Sequence, residues 1–506
     1  MSNVLVPRGW VQTTLSEIVA PGRVRRLPAE VPNLPFVGME HVESQTMRLL
    51  GTVPAERMKS SAVHFQAGDV LYGRLRPYLN KVLRPSFEGL SSAEFIVFPG
   101  DGTIYAPWLS LLLNSSMFVS FASHLNEGDR PRVDFDQIGG FELLLPPRRE
   151  QERIASEVEA LFGDLDAAMA TLKRVQSNLK RYRASVLKAA CEGRLVPTES
   201  ELARKEGRTY ETGEQLLARI LKERRAKWEA DQLAKMLGAG KPPTSDNWKR
   251  KYREPALPNT YDLPRLPEGW TWTTAGYMFE CIVPNRDKPK SFTGEVPWIT
   301  LPDFDDGIEI AISKSGLGLS DEETKEYRAR VVPKGSVIMS CVGRFGLTAV
   351  VGTPVVINQQ LHAFVMSLLV SARYIAYALR TQTSYMESLS TATTIAYLNK
   401  DNCNSVPLPI PPASEQERIA AELDRRLSVV ANLEGCVDQA IARADRLRQA
   451  ILKRAFEGKL VPQDPNNEPA SVLLERIRAK RAITSERPRN QSRRRQCRAA
   501  VVVEVK

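Results

Sequence analysis

The feature that most constrains this chain is a long repeat without a gap. The decapeptide PPRREQERIA begins at Pro146, and PPASEQERIA begins at Pro411, 265 residues later. At that offset 146–197 aligns with 411–462 without an insertion, and 19 of the 52 positions are identical. One inserted residue would turn every later side chain of a helix by about 100°. The gapless register therefore indicates two helices of equal length that present the same face.

The apolar pattern of both copies predicts long paired helices. Apolar residues recur in alternating steps of four and three through each copy, with one exception at Arg426, which is typical of a coiled coil. The alternative, an amphipathic helix lying on a globular core, would show a wider apolar stripe. Pro pairs precede both helices, and Gly193 and Gly458, each followed by a proline, end them. The expected seam residues are Ile154, Val158, Leu165, Leu172, Leu179, Ile419, Leu423, Val430, Val437 and Leu447.

The duplication extends beyond the helices. PRGWVQTTLSEI (7–18) matches PEGWTWTTAGYM (267–278), and EQLLARILKERRAK (214–227) resembles SVLLERIRAKRA (471–482). A stretch rich in Pro, Gly and charge, 238–260, reads as a linker between the halves. The chain is therefore expected to be a globular unit, a long helix and a short basic helix, followed by the same series again.

Composition limits the class of protein. No apolar run approaches the roughly 18 residues of a membrane span, and the N-terminus lacks a secretory pattern, so we expect a cytoplasmic protein. Six cysteines without a CxxC pair and four isolated histidines predict neither a metal site nor a disulfide framework. The net charge of +11 mildly favours a polyanionic partner.

These motifs resemble the specificity (S) subunit of type I restriction-modification systems. The resemblance rests on the EQERIA helix starts, the EGRLVP and EGKLVP helix ends and the GW…T opening of each half, and it reaches about residue 482. It implies an α+β fold in which a long antiparallel two-helix coiled coil separates two globular α/β target recognition domains, related as a pseudo-twofold tandem repeat. The Arg-rich tail after residue 482 is not part of the family pattern, and we assign it no role.

The resemblance also implies a domain order and a set of partners. Each recognition domain would read one half of a bipartite, asymmetric site in double-stranded DNA. The helices would dock two modification (methyltransferase) subunits, restriction (endonuclease/translocase) subunits would join the complex, and the chain itself would need no cofactor. The expected segments are recognition domain 1 at 1–147, the central spacer helix at 148–197, a short basic helix and linker at 198–266, recognition domain 2 at 267–412, the second spacer helix at 413–462, and a short helix with a basic tail at 463–506.

Polar loops within each unit supply the candidate DNA contacts. Arginine suits guanine, asparagine and glutamine suit adenine, and lysine suits phosphate. In the first unit the candidates lie in 71–81 and 126–135: Arg74, Arg76, Tyr78, Asn80, Lys81, Arg130 and Arg132. In the second unit they lie in 340–346, 358–360 and 390–400: Arg344, Asn358, Gln359, Thr394, Tyr397, Asn399 and Lys400.

Two other classes of function compete with this one. A stand-alone nuclease or methyltransferase could be sought in Asp303, Glu323 and Lys325, but such a pattern occurs often by chance. The sequence has no glycine-rich cofactor turn, no phosphate-binding loop and no NPPY-like loop for methylating a flipped base. A purely structural coiled-coil scaffold would leave the two globular units unexplained. We therefore expect a subunit that is not catalytic.

Overall fold

The computed structural model describes residues 6–22, 24–126, 128–255, 263–285, 288–305, 307–390 and 396–486. The fold is of the α+β class. The chain divides into two compact units: unit 1 comprises Met1–Lys173 and Gln439–Lys506, and unit 2 comprises Arg174–Asp438. The boundary between the units falls within both long helices, Arg148–Cys191 and Ala413–Phe456, so each unit contains a part of each helix.

The elements follow one another in closely similar order in the two repeats. The first repeat contains β1 (Val11–Thr14), α1 (Leu15–Ile18), β2 (Arg25–Arg26), β3 (Pro35–Val37), β4 (Val53–Pro54), β5 (Ala62–Phe65), β6 (Val70–Gly73), β7 (Val82–Leu83), β8 (Gly89–Ser91), β9 (Phe95–Phe98), α2 (Ala106–Asn114), α3 (Ser116–Ser123), α4 (Phe135–Ile138), β10 (Glu142–Leu145), α5 (Arg148–Cys191), α6 (Glu199–Glu206) and α7 (Gly213–Gly238). The second contains β11 (Thr271–Thr274), α8 (Ala275–Met278), β12 (Glu280–Ile282), β13 (Val296–Ile299), β14 (Glu309–Ile310), β15 (Gly318–Leu319), α9 (Asp321–Glu326), β16 (Val331–Val332), β17 (Val337–Ser340), β18 (Thr348–Val351), β19 (Val355–Ile357), β20 (Leu361–Val365), α10 (Ala372–Arg380), α11 (Thr383–Leu389), α12 (Lys400–Asn404), β21 (Pro407–Ile410), α13 (Ala413–Phe456) and α14 (Ala470–Glu486).

Each globular domain is closed by its own first and last strands. In unit 1, β1 pairs antiparallel with β10, and the remaining strands form sheets in the orders β2-β5-β8-β3-β4 and β7-β6-β9. In unit 2, β11 pairs antiparallel with β21, beside sheets in the orders β12-β20-β17-β18-β14 and β15-β13-β19-β16. The chain therefore enters and leaves each domain at neighbouring strands. The last strand is followed at once by a Pro pair and a long helix.

The core of each domain continues into the helices. In unit 1, Trp108 lies in one buried cluster with Ile154 of α5, Phe456 of α13 and Leu474 of α14, and its ring meets Phe456 edge-on at 5.9 Å. In unit 2, the corresponding cluster joins Trp270 to α5, α7 and α13. Each domain thus packs against the start of one long helix, the end of the other and a short following helix.

Within each unit the two long helices run antiparallel. In unit 1, Arg153 donates to the Pro462 carbonyl, and further along α5 Arg448 pairs with Asp166 and lies 4.2 Å over the Phe162 ring. Residue numbers therefore rise along one helix as they fall along the other.

In unit 2, Gln176 donates to Asp438 at 2.9 Å, and Arg183 pairs with Glu434 at 2.7 Å. The two helices are therefore antiparallel in unit 2 as well.

Most of the predicted seam residues lie on the packed side of their helices. Ile154, Val158, Ile419, Leu423, Val430 and Val437 are buried, and Leu165, Leu172 and Leu179 are partly buried. Leu447 differs from the expectation, because its side chain is 48% exposed. The next residue, Arg448, packs over the Phe162 ring and pairs with Asp166 at this point, and the predicted stripe continues at Ile451, which is buried.

The repeated glutamine of EQERIA is buried and fixes the start of each long helix to its domain. Gln151 accepts a hydrogen bond from the Tyr105 amide at 3.0 Å and donates to the Pro146 carbonyl at 3.0 Å. Gln416 repeats both contacts with the Ser371 amide and the Pro411 carbonyl, at 3.0 and 2.9 Å. This part of the repeat therefore serves packing inside the chain.

The helix ends repeat with the same fidelity. Gly193 and Gly458 have φ values of +65° and +69°, and each is followed by a residue whose amide bonds back five positions. A Cβ atom at Gly193 would lie 2.5 Å from Pro267, and one at Gly458 would lie 2.6 Å from Pro7. Both the backbone conformation and the available space require glycine.

Candidate nucleic-acid interface

The two candidate loops of unit 1 lie side by side. Leu75 and Arg132 form an isolated antiparallel bridge. The Arg76 amide donates to the Pro131 carbonyl at 2.7 Å, and the Val133 amide donates to the Arg74 carbonyl at 3.0 Å. Backbone hydrogen bonds thus join 71–81 to 126–135, which are separated by more than 40 residues in the sequence.

This junction collects four arginines. Arg74 and Arg76 are partly buried, and the Nε atom of each is buried without a hydrogen-bonding partner in the described part of the chain. Arg130 and Arg132 are exposed, and Arg132 pairs with Glu94. Among the described residues no carboxylate lies within 4 Å of the Arg74, Arg76 or Arg130 side chains, so three of the four charges are available to an anion.

Three further candidates of 71–81 differ in accessibility. Tyr78 is 48% exposed and is the middle residue of a 3-10 turn at Pro77–Leu79. Asn80 was expected to read a base, but it is 3% exposed and donates to the Asn114 carbonyl at 2.9 Å. It ends the turn in a left-handed conformation, with φ at +47°, and this directs the amide into the domain. Lys81 donates to the Met39 carbonyl at 2.6 Å, which engages one of the three donors of its ammonium group.

The candidate loops of unit 2 meet in the same way. Val342 and Tyr397 form an isolated antiparallel bridge. The Gly343 amide donates to the Ala396 carbonyl, and the Leu398 amide donates to the Cys341 carbonyl, both at 2.8 Å. The third stretch, 358–360, joins them because the Cys341 amide donates to the Gln360 carbonyl at 2.8 Å.

Four of the unit 2 candidates are exposed: Arg344, Tyr397, Asn399 and Lys400. Asn399 also caps α12, where its side chain accepts from the Asn402 amide at 2.8 Å. Of the partly buried pair, Asn358 bonds to Gln360, and Gln359 donates to the Asn285 carbonyl at 2.7 Å. Thr394 lies outside the described residues.

A histidine and two cysteines are buried at the unit 2 junction: His362, Cys341 and Cys403. His362 Nδ1 lies 3.2 Å from Cys403 Sγ, and burial lowers the pKa of His362 to about 4. Burial raises the pKa of Cys341 to about 12 and that of Cys403 higher still. A nucleophilic cysteine needs a lowered pKa, so these groups are packed as neutral core residues rather than as a nucleophile and its base.

The acidic residues of the nuclease alternative have local structural partners. Asp303 accepts from the Thr300 and Lys314 amides at 2.6 and 2.7 Å. Glu323 accepts from the Ser320 and Thr293 amides, and hydrogen bonds, led by one from Ser291, lower its pKa to about 2. Both carboxylates thus cap turns.

The described ranges contain neither a metal-binding cluster nor a membrane-spanning helix. Within them, no three His, Cys, Asp or Glu side chains come together in a way that could hold a metal ion. No described helix is both long and apolar enough to cross a membrane.

The pairing of the loops was not visible in the sequence. Glu94, the partner of Arg132, was also missed, because it is an ordinary charged residue in a turn and no periodicity or motif marks it.

The chain is similar to several known proteins of one description. Residues 267–435 match the family model described as the type I restriction modification DNA specificity domain. The type I restriction enzyme EcoBI specificity subunit of Escherichia coli is 23% identical over 365 residues, which cover 68% of this chain and 65% of that protein. The EcoDI specificity subunit of Escherichia coli is 24% identical over 194 residues, which cover 38% of this chain and 43% of that protein. The chain therefore spans less than two thirds of the length of these relatives.

A solved structure shares the fold over most of the chain. It is described as the structural basis underlying complex assembly and conformational transition of the type I R-M system. The match has a TM-score of 0.65 at 19% identity and covers 90% of this chain and 100% of the other.

Proposed function

We propose that this chain, which resembles the specificity subunits of type I restriction-modification systems in sequence and in fold, selects the DNA sequence on which such a system acts. Each unit reads one half of a bipartite, asymmetric target, and catalysis is left to partner subunits. The chain works in the cytoplasm, where it meets double-stranded DNA.

The observation that carries the proposal is the repeated loop junction. The bridge between Leu75 and Arg132 in unit 1 has its counterpart between Val342 and Tyr397 in unit 2. The backbone arrangement is alike, but the side chains that it presents differ: arginines dominate in unit 1, and Arg344, Tyr397, Asn399 and Lys400 are exposed in unit 2. Two loop junctions with similar backbones and different polar side chains are suited to reading two different half-sites.

The long helices supply the spacing in this proposal. Helices α5 and α13 have 44 residues each, and at 1.5 Å per residue each extends about 65 Å. Equivalent major-groove faces recur about every 34–36 Å along DNA. An antiparallel pair of stiff helices would hold the two readers at a constant separation, and the target would then have a gap of fixed length between its halves.

The same duplication suggests how partners assemble. Two similar docking surfaces, one in each repeat, could bind two copies of one subunit in equivalent ways. We assign these surfaces to two modification subunits, with restriction subunits joining that core. Because Glu150, Gln151, Glu415 and Gln416 are buried, the exposed residues of the repeat must supply the contacts.

The rival function is a stand-alone DNA-cleaving or DNA-methylating enzyme, and one experiment separates the two. The purified chain is incubated with DNA and a methyl donor, alone and with a modification subunit. We expect no methylation or cleavage by the chain alone and adenine methylation at a two-part site by the complex. Methylation or cleavage by the chain alone would contradict the proposal.

A further inference from the structure

A loop outside every predicted contact segment lies against the first reading loop of unit 1. It comprises residues 43–48 and is closed by a bridge between Val42 and Leu49 and by a hydrogen bond from the Glu43 amide to the Arg48 carbonyl at 2.9 Å. We propose that this 43–48 loop is a third DNA-reading element of unit 1, in which Gln45 contacts an adenine edge and Arg48 contacts a phosphate. The inference rests on the proposed function and extends it.

The loop is fixed directly to a segment already assigned to the interface. The Gln45 amide donates to the Asn80 carbonyl at 2.9 Å, at the end of the turn that carries Tyr78. Lys81, the next residue, donates to the carbonyl of Met39, which precedes the loop in the chain. A DNA duplex that reaches Arg76 and Tyr78 would therefore lie beside Gln45.

The polar side chains of the loop fall into two groups. Thr46 donates to Glu43 at 2.8 Å, and its hydroxyl accepts from the Arg48 amide at 3.3 Å, so these groups hold the loop in shape. Gln45 and Arg48 are exposed, and their side chains form no hydrogen bond or ion pair with any described residue. A carboxamide suits adenine, which offers an acceptor and a donor side by side, and a free guanidinium suits phosphate.

Backbone strain is concentrated at the same place. Five non-glycine residues of the described chain have positive φ, and four of them belong to these two loops: Gln45 at +67°, Met47 at +59°, Arg76 at +52° and Asn80 at +47°. Such conformations are costly for residues with a Cβ atom and are found repeatedly at functional sites. Met47 packs against the core of unit 1, which helps to hold the loop in this conformation.

A turn that served stability alone would favour glycine at position 45. Gln45→Gly relieves the backbone strain and also removes the carboxamide. If Gln45 reads DNA, base discrimination should fall although stability does not. We expect this variant to melt at or above the temperature of the wild type while it loses discrimination at one base pair. Arg328→Gly is the matched control, because it relieves the fifth strained position, with φ at +50°, in unit 2.

The test selects DNA from a random duplex library with the full-length chain at low salt. We expect the wild type to select a two-part site. Gln45→Gly should accept all bases at one position of one half, with about tenfold weaker binding to the wild-type site. Arg48→Ala should select the same site but show a salt dependence about 0.9 lower in log–log slope. Arg328→Gly should leave the half that is sensitive to Gln45 unchanged.

Two results would overturn the inference in different ways. If Gln45→Gly selected the wild-type site with wild-type affinity while Arg74→Ala or Arg130→Ala altered one half, the 43–48 loop would not be a reading element, although the proposed function would stand. If the wild type selected no sequence at all, the proposed function would fail, and this inference would fail with it.

Discussion

Trp270 Nε1 donates a hydrogen bond to Glu415 Oε1 at 3.0 Å, which joins the residue before the first strand of a domain to the helix that follows that domain, 145 residues later. The second carboxylate oxygen of Glu415 accepts from the Glu199 amide at 2.8 Å, at the start of α6. Glu415 therefore links its own helix to two other segments of the chain. Burial nevertheless raises its pKa, and the same cause raises the pKa of Glu150, the equivalent residue of unit 1.

The neighbouring glutamine gives a direct test of this packing. Gln416→Leu should destabilise the chain by about 2–5 kcal/mol, because it leaves the buried Ser371 amide and Pro411 carbonyl without partners. Thermal or urea unfolding measures the change. Gln439→Leu, at an exposed position of the same helix, is the matched control and should change stability by less than about 0.5 kcal/mol. Equal effects of the two substitutions would argue against a structural role for the repeated glutamine.

Replacing two glycines by alanine, one inside α5 and one just after its end, should change stability in opposite directions. Gly193→Ala should destabilise by more than about 1 kcal/mol, because it adds a Cβ atom at positive φ only 2.5 Å from Pro267. Gly163→Ala should stabilise by about 1 kcal/mol, because this glycine lies inside the helix with no atom within 4 Å of the added group. Chemical unfolding of both variants checks the signs, and a loss of stability for Gly163→Ala would contradict the packing described.

Unit 2 should lose stability in mild acid through His362. Its folded pKa of about 4 lies below the ordinary value of 6.5, so the unfolded chain binds the proton more readily. Above pH 6.5 the histidine is neutral in both the folded and the unfolded chain, and the full free energy of unfolding is present. On the order of 3 kcal/mol of that free energy is lost as the pH falls towards 4. Unfolding of His362→Gln should show a shallower pH dependence over this window. His124→Gln, an exposed control, should retain the slope of the wild type.

The arginines of unit 1 should differ in their contribution to DNA binding. Arg130→Ala should lower the log–log salt dependence of binding by about 0.9, since this exposed guanidinium has no acidic partner among the described residues. Arg132→Ala should have a smaller effect, because Glu94 already neutralises part of that charge. Binding isotherms at several salt concentrations measure both slopes. A larger effect of Arg132→Ala would contradict the assignment.

The sequence predicted some features well, and the physical reasons are clear. Helix starts and ends follow from local chemistry, and α13 ends at Phe456, two residues before Gly458, as the glycine indicated. The burial of Leu447 was mispredicted because Arg448 packs over Phe162 there, and a pattern of apolar residues does not mark a packed arginine. Asparagine favours a left-handed turn, but Asn80 was mispredicted because the direction of its amide depends on the Asn114 carbonyl, 34 residues away. The loop junctions depend on strand pairing over more than 40 residues, which leaves no local signal.

The most direct test of the central claim replaces residues 71–81 and maps the modified adenines in genomic DNA by long-read sequencing, with the modification subunit supplied. The control replaces 340–346, the equivalent loop of unit 2. We predict that each replacement changes one half of the target, that the two replacements change opposite halves, and that the gap between the halves stays constant. A replacement of 71–81 that altered both halves would contradict the assignment of one reader to each half.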